Sequence, residues 1–272
     1  MVVLWVFAAV LGMGVLYLLA LAGPGRLRDR PELLRCRYAH RGLHNLADGV
    51  PENSLEAFRR AAERGFGAEL DIHLTRDGRL AVIHDSSLRR ACGADAEVED
   101  LTAAQLRAYR LFGTGAAIPF LEDVLPLFEH RGPLLVELKT RRNARPLAAA
   151  LCRALAGYRG QVLAESFDPR VLLALRRLQP DLLRGQLSKN FRRDDSCNAL
   201  AALLLGGLCL NFLSRPDFIA YRFADRQNLS LRLCRRLFHL GEMDWTITDP
   251  AALREAEAGG AAAIFEGFQP DP

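Results

Sequence analysis

The feature that most constrains this chain is an alternation. Eight short apolar runs, each about the length of a strand, alternate with stretches of helical patterning that lie between most of them. The runs are Arg37–Ala39, Ala68–Ile72, Leu134–Leu138, Val162–Phe167, Leu183–Leu187, Gly207–Phe212, Met243–Ile247 and Ala262–Phe265. Ser54–Arg64, Arg145–Tyr158, Pro169–Leu178, Ser196–Leu205, Leu229–Leu240 and Pro250–Ala258 carry the helical pattern between them. Ser54, Asp168-Pro169 and Asp249-Pro250 supply N-cap and first-turn residues. Strand alternating with helix predicts a parallel sheet with crossover helices, and eight such units predict closure into a (β/α)₈ TIM barrel of the α/β class. One such domain would occupy nearly all of the 272 residues.

A further run, Leu80–His84, follows Leu70–Thr75 too closely for a crossover helix. Asp77-Gly78 between them is a hairpin signal, so the run is expected to return antiparallel. A two-residue turn at Asp77-Gly78 would place Asp71 opposite His84. Residues 86–115 exceed what a barrel loop needs and predict a small insertion at the catalytic end.

Val2 to Ala22 is apolar and uncharged, long enough to cross about 30 Å of hydrocarbon. Trp5 and Tyr17 lie near its ends, as interfacial aromatics do. No basic segment precedes it, which favours an uncleaved transmembrane helix over a signal peptide. Residues 1–25 are therefore expected to form an anchor and linker, and 26–272 the barrel domain. Arg26, Arg28, Arg30, Arg35 and Arg37 follow, and the positive-inside rule then places a single-pass protein with its catalytic domain in the cytoplasm. The six cysteines show no CxxC or zinc spacing and are read as free, buried thiols, consistent with a reducing compartment. A formal charge of +4 with no dense basic stripe argues against a nucleic-acid partner. Of the 36 basic residues only Lys139 and Lys189 are lysines, which singles out Lys139.

Chemistry-bearing residues gather at the ends of the first strands. His40-Arg41-Gly42 ends the first; Glu69 and Asp71 lie on the second; His84-Asp85 ends the return strand; Glu137 and Lys139 lie on the next; Glu165-Ser166-Phe167 ends the one after. Spacing of two puts Glu69 and Asp71 on one face, and Glu137 and Lys139 repeat it. Three carboxylates in apolar strands need a counter-charge: either one divalent cation, Mg²⁺ or Ca²⁺ by the oxygen donor set, or neighbouring Arg and Lys. Two histidines flanking the cluster suit general acid/base work, while Arg41 and Lys139 suit phosphate contact.

These segments resemble the glycerophosphodiester phosphodiesterase family, which shares its fold and mechanism with phosphatidylinositol-specific phospholipases C. The resemblance is carried by His40-Arg41-Gly42, Pro51-Glu52-Asn53-Ser54, Glu69 through Gly78, Val82-Ile83-His84-Asp85, Ile118 through Glu122 and Glu137-Leu138-Lys139. Ser166-Phe167-Asp168 and Trp245-Thr246 are weaker matches. The resemblance implies His40 and His84 as the acid/base pair and Glu69, Asp71 and Glu137 as metal ligands. It implies Arg41 and Lys139 at the phosphate, Glu52 near metal or substrate hydroxyl, and Phe167 and Trp245 lining the glycerol or leaving-group side. It further implies metal-dependent hydrolysis of a glycerophosphodiester to glycerol 3-phosphate and an alcohol. Glu266, in Phe265-Glu266-Gly267, stands where many relatives carry Thr-Asp-x-Pro; it either replaces that acid or marks a different rim. The membrane segment makes a lysophospholipid a competing substrate. A catalytically silent headgroup-binding module is a further alternative.

Overall fold

A computed structural model of the chain describes residues 1–140, 142–193 and 197–271. Helix α1, Val2–Leu21, is followed by a 3₁₀ turn over Arg26–Asp29 and a short helix α2, Pro31–Arg35. Next come strand β1, Arg37–Ala39; α3, Leu55–Glu63; β2, Gly67–Leu74; and β3, Leu80–Val82. Two short helices, α4 (Arg89–Cys92) and α5 (Ala103–Leu106), precede α6, Leu121–Phe128, and β4, Leu134–Leu138. Then follow α7, Ala144–Ala154; β5, Val162–Ser166; α8, Pro169–Leu178; and β6, Leu183–Ser188. Helices α9, Ala199–Gly206, and α10, Asn211–Ser214, lead to β7, Phe218–Arg222. The chain ends with α11, Leu229–Phe238; β8, Gly241–Ile247; α12, Pro250–Ala258; and β9, Ala262–Phe265.

Among the described residues, eight parallel strands close into a barrel: β1 pairs with both β2 and β9, and β3 is an antiparallel addition to the end of β2. The caps expected from sequence form. Ser54 Oγ accepts from Ala57 N, Asp168 from Arg170 N and Asp249 from Ala251 N. Alternate strand residues point inward. Tyr38, Leu135, Leu163, Phe218, Met243 and Ile264 fill the lower barrel, and Leu27 and Leu33 from the N-terminal segment plug its floor. Gly185 leaves room for the Phe218 ring, which a β-carbon there would meet at 2.1 Å.

Two expectations are corrected. Gly207–Phe212 is not a strand; the seventh strand is Phe218–Arg222. Helix α9 ends level with the top of β7, since the Gly206 carbonyl accepts from Tyr221 Oη and Asn228 Nδ2. A parallel strand must begin at the opposite end of the barrel, so the apolar run is used to descend, through Leu208 and α10. The expected start of that crossover helix, Ser196, lies outside the described residues, and the helix begins at Ala199. The hairpin register is also one residue off. Ile72 faces Val82 and Leu74 faces Leu80, so the turn holds Arg76-Asp77-Gly78, and Ile83 N donates to the Asp71 carbonyl. A three-residue turn with Gly78 at φ 82° accounts for the shift. Helix α6 has no counterpart in the sequence reading: Pro126 obscures its pattern, yet Leu121, Val124, Leu125 and Phe128 are buried along one face.

Residues 86–117 fold over the catalytic end around their own core of Leu88, Val98, Leu106 and Leu111. The thiols are free; Cys234 is buried and the other five are half-buried.

The N-terminal segment is fastened to the barrel. Arg26 grips the fully buried Asp217 through two bonds of 2.7 and 2.8 Å, and Asp217 also accepts from Arg184 N. Arg26→Ala would leave a buried carboxylate without its partner. Because Arg26 is 34% exposed, the expected loss is about 2 kcal/mol, below the range for a fully buried pair. Chemical denaturation of the full chain in detergent measures it, and an unchanged midpoint would remove the fastening role.

Candidate active site

The upper barrel is polar where the lower is apolar. Glu69 and Asp71 on β2, Glu137 on β4 and Glu165 on β5 are buried there. The strand register sets them side by side, Asp71 opposite Glu137 and Glu137 opposite Glu165. Carboxylate oxygens of Glu69, Asp71 and Glu137 lie within 4.8 Å of one another. Lys139 Nζ sits 3.2 Å from Asp71 Oδ1 and 3.1 Å from Glu137 Oε2. Arg41 Nε is 3.5 Å from Asp71 Oδ2. Four buried carboxylates thus face two cationic side chains, and the formal deficit matches one divalent cation. Glu165 Oε2 is buried with no hydrogen-bond partner, which also fits an oxygen-ligated cation.

The electrostatics agree. Burial, then repulsion from Asp71, Glu137 and Glu165, pushes Glu69 well above the usual carboxylate range. Burial lifts Glu137 to about 7, with Lys139 opposing. Burial also raises Glu165, reinforced by Glu137. Asp71 goes the other way: burial disfavours its charge, but Lys139, His84 and Arg41 outweigh that and hold it ionised.

Both predicted histidines reach this cluster. His40 follows β1, its Nε2 3.9 Å from Glu69 Oε2, and its Nδ1 meets Glu266 Oε2 at 2.5 Å. His84 follows β3, and its Nδ1 meets Asp85 Oδ1 at 2.6 Å. Each ring thereby has its Nδ1 tied to a carboxylate. Burial lowers His84 below its ordinary value, against the pull of Asp71. Arg41 and Asn53 both adopt positive φ, 56° and 54°, a conformation that costs about 1 kcal/mol or more for residues with a side chain. Those turns aim Arg41 N at Glu69 Oε2 (3.0 Å) and Asn53 Nδ2 at Asp71 Oδ2 (2.8 Å). Asn53 therefore does more than precede a helix; it orients a carboxylate of the cluster. Glu52 accepts from Arg41 Nη1 at 2.9 Å. Phe167 and Trp245 form an edge-to-face pair, centroids 5.7 Å apart, on the far side of the mouth. A cleft of about 810 Å³ runs from His84, Glu137 and Lys139 to Phe167, beneath the insertion.

Three further residues belong to the site. Glu165 is the fourth carboxylate, foreshadowed by its strand-end position. Glu266 backs His40, and the hydrogen bond from His40 holds its carboxyl down to about 2. Arg90, from the insertion, joins Asp85 Oδ2 (2.5 Å) and Glu52 Oε1 (2.7 Å), linking the carboxylate behind His84 to the one that holds Arg41. No local motif marks Arg90. His44 lies 3.7 Å from Glu266, and His73 holds the His84 carbonyl at 3.2 Å.

Comparison with known proteins follows the same line. The model of the glycerophosphoryl diester phosphodiesterase family matches residues 40–207. A glycerophosphodiester phosphodiesterase of Bacillus altitudinis is 40% identical over 113 residues, covering 39% of this chain and 45% of the relative. One from Caldanaerobacter subterraneus is 34% identical over 160 residues, covering 55% and 65%. The matches thus span about half to two thirds of these relatives' lengths. In three dimensions the chain is similar to an Oleispira antarctica phosphodiesterase solved with sn-glycerol-3-phosphate as product, at TM-score 0.69, 22% identity and coverage of 86% and 94%. A closed eight-stranded parallel barrel with its acidic cluster at the strand ends defines a TIM barrel. Within that class, this chain belongs to the glycerophosphoryl diester phosphodiesterase family.

Two outcomes follow. Glu266→Gln is expected to lower kcat roughly 10- to 100-fold with little change in KM, since it frees a positioned imidazole without touching the pocket; Glu266→Asp should recover part of the loss. Equal kcat in Glu266→Gln and the parent chain would remove the positioning role. For the second, an acid whose folded pKa is raised destabilises the fold as pH climbs past its unfolded value. With Glu137 lifted to about 7, the EDTA-treated chain should lose thermal stability between about pH 5 and 8. Mg²⁺ or Ca²⁺ should restore melting temperature at the upper end and not at the lower. A flat profile would contradict the cluster's charge balance.

Proposed function

We propose that this chain hydrolyses glycerophosphodiesters to glycerol 3-phosphate and an alcohol, with His40 and His84 as acid/base pair. The observation that carries the proposal is the placement of two carboxylate-backed imidazoles around a buried carboxylate cluster. Glu69, Asp71 and Glu137 would hold one divalent cation, Mg²⁺ or Ca²⁺. Bound there, the ion supplies Lewis-acid neutralisation of the phosphate charge.

The chain's own residues do the rest. Arg41 and Lys139 offer positive charge to the phosphate oxygens, Arg41 in a fork and Lys139 as a point charge. His84, kept neutral by burial, takes the proton from the attacking hydroxyl; where that is a glycerol hydroxyl, the cyclic phosphate it forms is then opened by water to give glycerol 3-phosphate. His40 gives a proton to the departing alkoxide, its ring held in place by the Glu266 carboxylate at Nδ1. Phe167 and Trp245 exclude water on the leaving-group side. Glu52 keeps Arg41 in place through the 2.9 Å bond.

Helix α1 favours a second substrate class. It is 20 residues long and uncharged, and none of residues 2–20 is buried. A barrel held at a bilayer meets lysophospholipids, whose phosphodiester is chemically the same. The proposed location is a single-pass membrane anchor with the barrel on the cytoplasmic side, following the arginines after α1.

Glycerol 3-phosphate release from glycerophosphocholine by the full chain in detergent tests the reaction. Release should stop with EDTA and return with Mg²⁺ or Ca²⁺. His40→Ala and His84→Ala should each lower kcat about 10²- to 10⁴-fold with unchanged circular dichroism. Parent-level turnover in either variant would sink the assignment.

A further inference from the structure

We propose that α1 holds the barrel with its catalytic mouth against the bilayer, and that the rim formed by α9 and the start of α11 sinks into an anionic lipid surface. The inference rests on the anchor reading above and concerns orientation and partner, not chemistry.

The direction of α1 is fixed by its contacts. Tyr17 Oη bonds Ser230 Oγ at 2.7 Å, and four residues on, the Leu21 carbonyl accepts from Cys234 Sγ at 3.7 Å and Asn211 Nδ2 at 3.4 Å. Gly23 then packs against Pro216 and Leu240, and Gly25 against Phe238 and His239. Helix α1 and the following turn therefore run parallel to α11. That helix leaves the top of β7, at the catalytic end, and descends to the start of β8. So the free part of α1, residues 2–16, projects beyond the catalytic end and not beyond the floor. Tyr17 is thus a docking residue rather than the interfacial aromatic its position suggested.

Length makes this more specific. Residues 2–16 rise about 22 Å, short of the roughly 30 Å of a hydrocarbon core. Several ångströms of the barrel's rim must enter the interface, a depth of about 5–10 Å being usual for an interfacial helix. The rim at that level is built for it. Helix α9, Ala-Leu-Ala-Ala-Leu-Leu-Leu-Gly, is apolar on all sides, a pattern that belongs to buried helices. Yet Leu200 is 66% and Leu203 50% exposed, and Leu229 at the head of α11 is 59% exposed. Its carboxyl end is pinned to the top of the barrel through the Gly206 carbonyl and by Ser188 Oγ to the Leu205 carbonyl, 2.9 Å. Exposed Arg192 and Arg222 flank the patch on the same rim, which suits anionic headgroups. From there Phe191, Phe167 and Trp245 form a continuous aromatic wall, with centroid separations of 6.0 and 5.7 Å, leading towards the carboxylates. A phosphodiester carried at a lipid surface would enter along that wall.

The test uses the full chain in vesicles of phosphatidylcholine with phosphatidylglycerol, carrying a photoreactive benzophenone residue at one position at a time. Position 11 reports α1, position 203 the outer face of α9, and position 63 the far side of the barrel on α3. Lipid adducts are expected at 11 and 203, with those at 203 at least fivefold above 63. Adducts at 11 with 203 no higher than 63 would overturn the orientation and leave the anchor standing. No adduct at 11 would overturn the anchor and the orientation together. Turnover of water-soluble glycerophosphocholine is independent of all three, so these failures are distinguishable from a failure of the proposed chemistry.

Discussion

Asp71, Glu137 and Glu165 lie in lateral register across three parallel strands, with Glu69 two residues before Asp71, and are opposed by Lys139 and Arg41. Unpaired buried carboxylates cost several kcal/mol each, so the remainder of the site is organised around them. The strands supply rigidity, and the side-chain period of two puts all four acids on the inner face. Asn53 and the Arg41 amide satisfy oxygens that the strands cannot reach, at the expense of two left-handed residues. Backbone strain of this kind persists where the surroundings fix it, and here the flanking β1–α3 loop is sealed by Gly42 against Ala57.

A second layer holds the histidines. Glu266 at the end of β9 and Asp85 after β3 each bind an Nδ1, so the two rings are oriented from opposite sides of the mouth. Arg90 ties one of these to Glu52, and through it to Arg41. The insertion is thereby part of the site, and its separate apolar core gives it the stiffness to position a guanidinium. The floor of the barrel performs a different task. Leu27 and Leu33 close it, Arg26 fastens it to Asp217, and Leu21 is buried against Ile219 and Tyr221. Helix α1 and the barrel pack together through Tyr17 and Leu21, which is why the direction of α1 is set relative to the mouth.

Much of this was legible in the sequence. Alternating strand and helix patterns give the barrel because crossover helices leave parallel strands no other way to bury both faces. Glu69-x-Asp71 and Glu137-x-Lys139 were visible because spacing of two is preserved in any strand. What failed did so for physical reasons. Gly207–Phe212 has strand-like composition, but a parallel strand there would begin at the wrong end of the barrel. The hairpin register turned on a single residue of turn length. Pro126 hid a helix held by burial rather than propensity. The arginines after α1, used to orient the membrane, prove in part to be structural: Arg26 pairs with Asp217 and Arg37 with Glu257.

The sequence by itself determined the alternation of strand and helix, the faces on which the acids lie, and the residue types able to bind a cation and move protons. These follow from local periodicity and side-chain chemistry, which need no knowledge of neighbours. Only the tertiary structure decided that Glu165 completes the carboxylate cluster, that Glu266 and Asp85 orient the two histidines, and that Arg90 reaches back to Glu52. It alone showed that α1 runs past the catalytic end. Each of these is a contact between residues distant in the chain, and the closure of the barrel, not any stretch of sequence, brings them together.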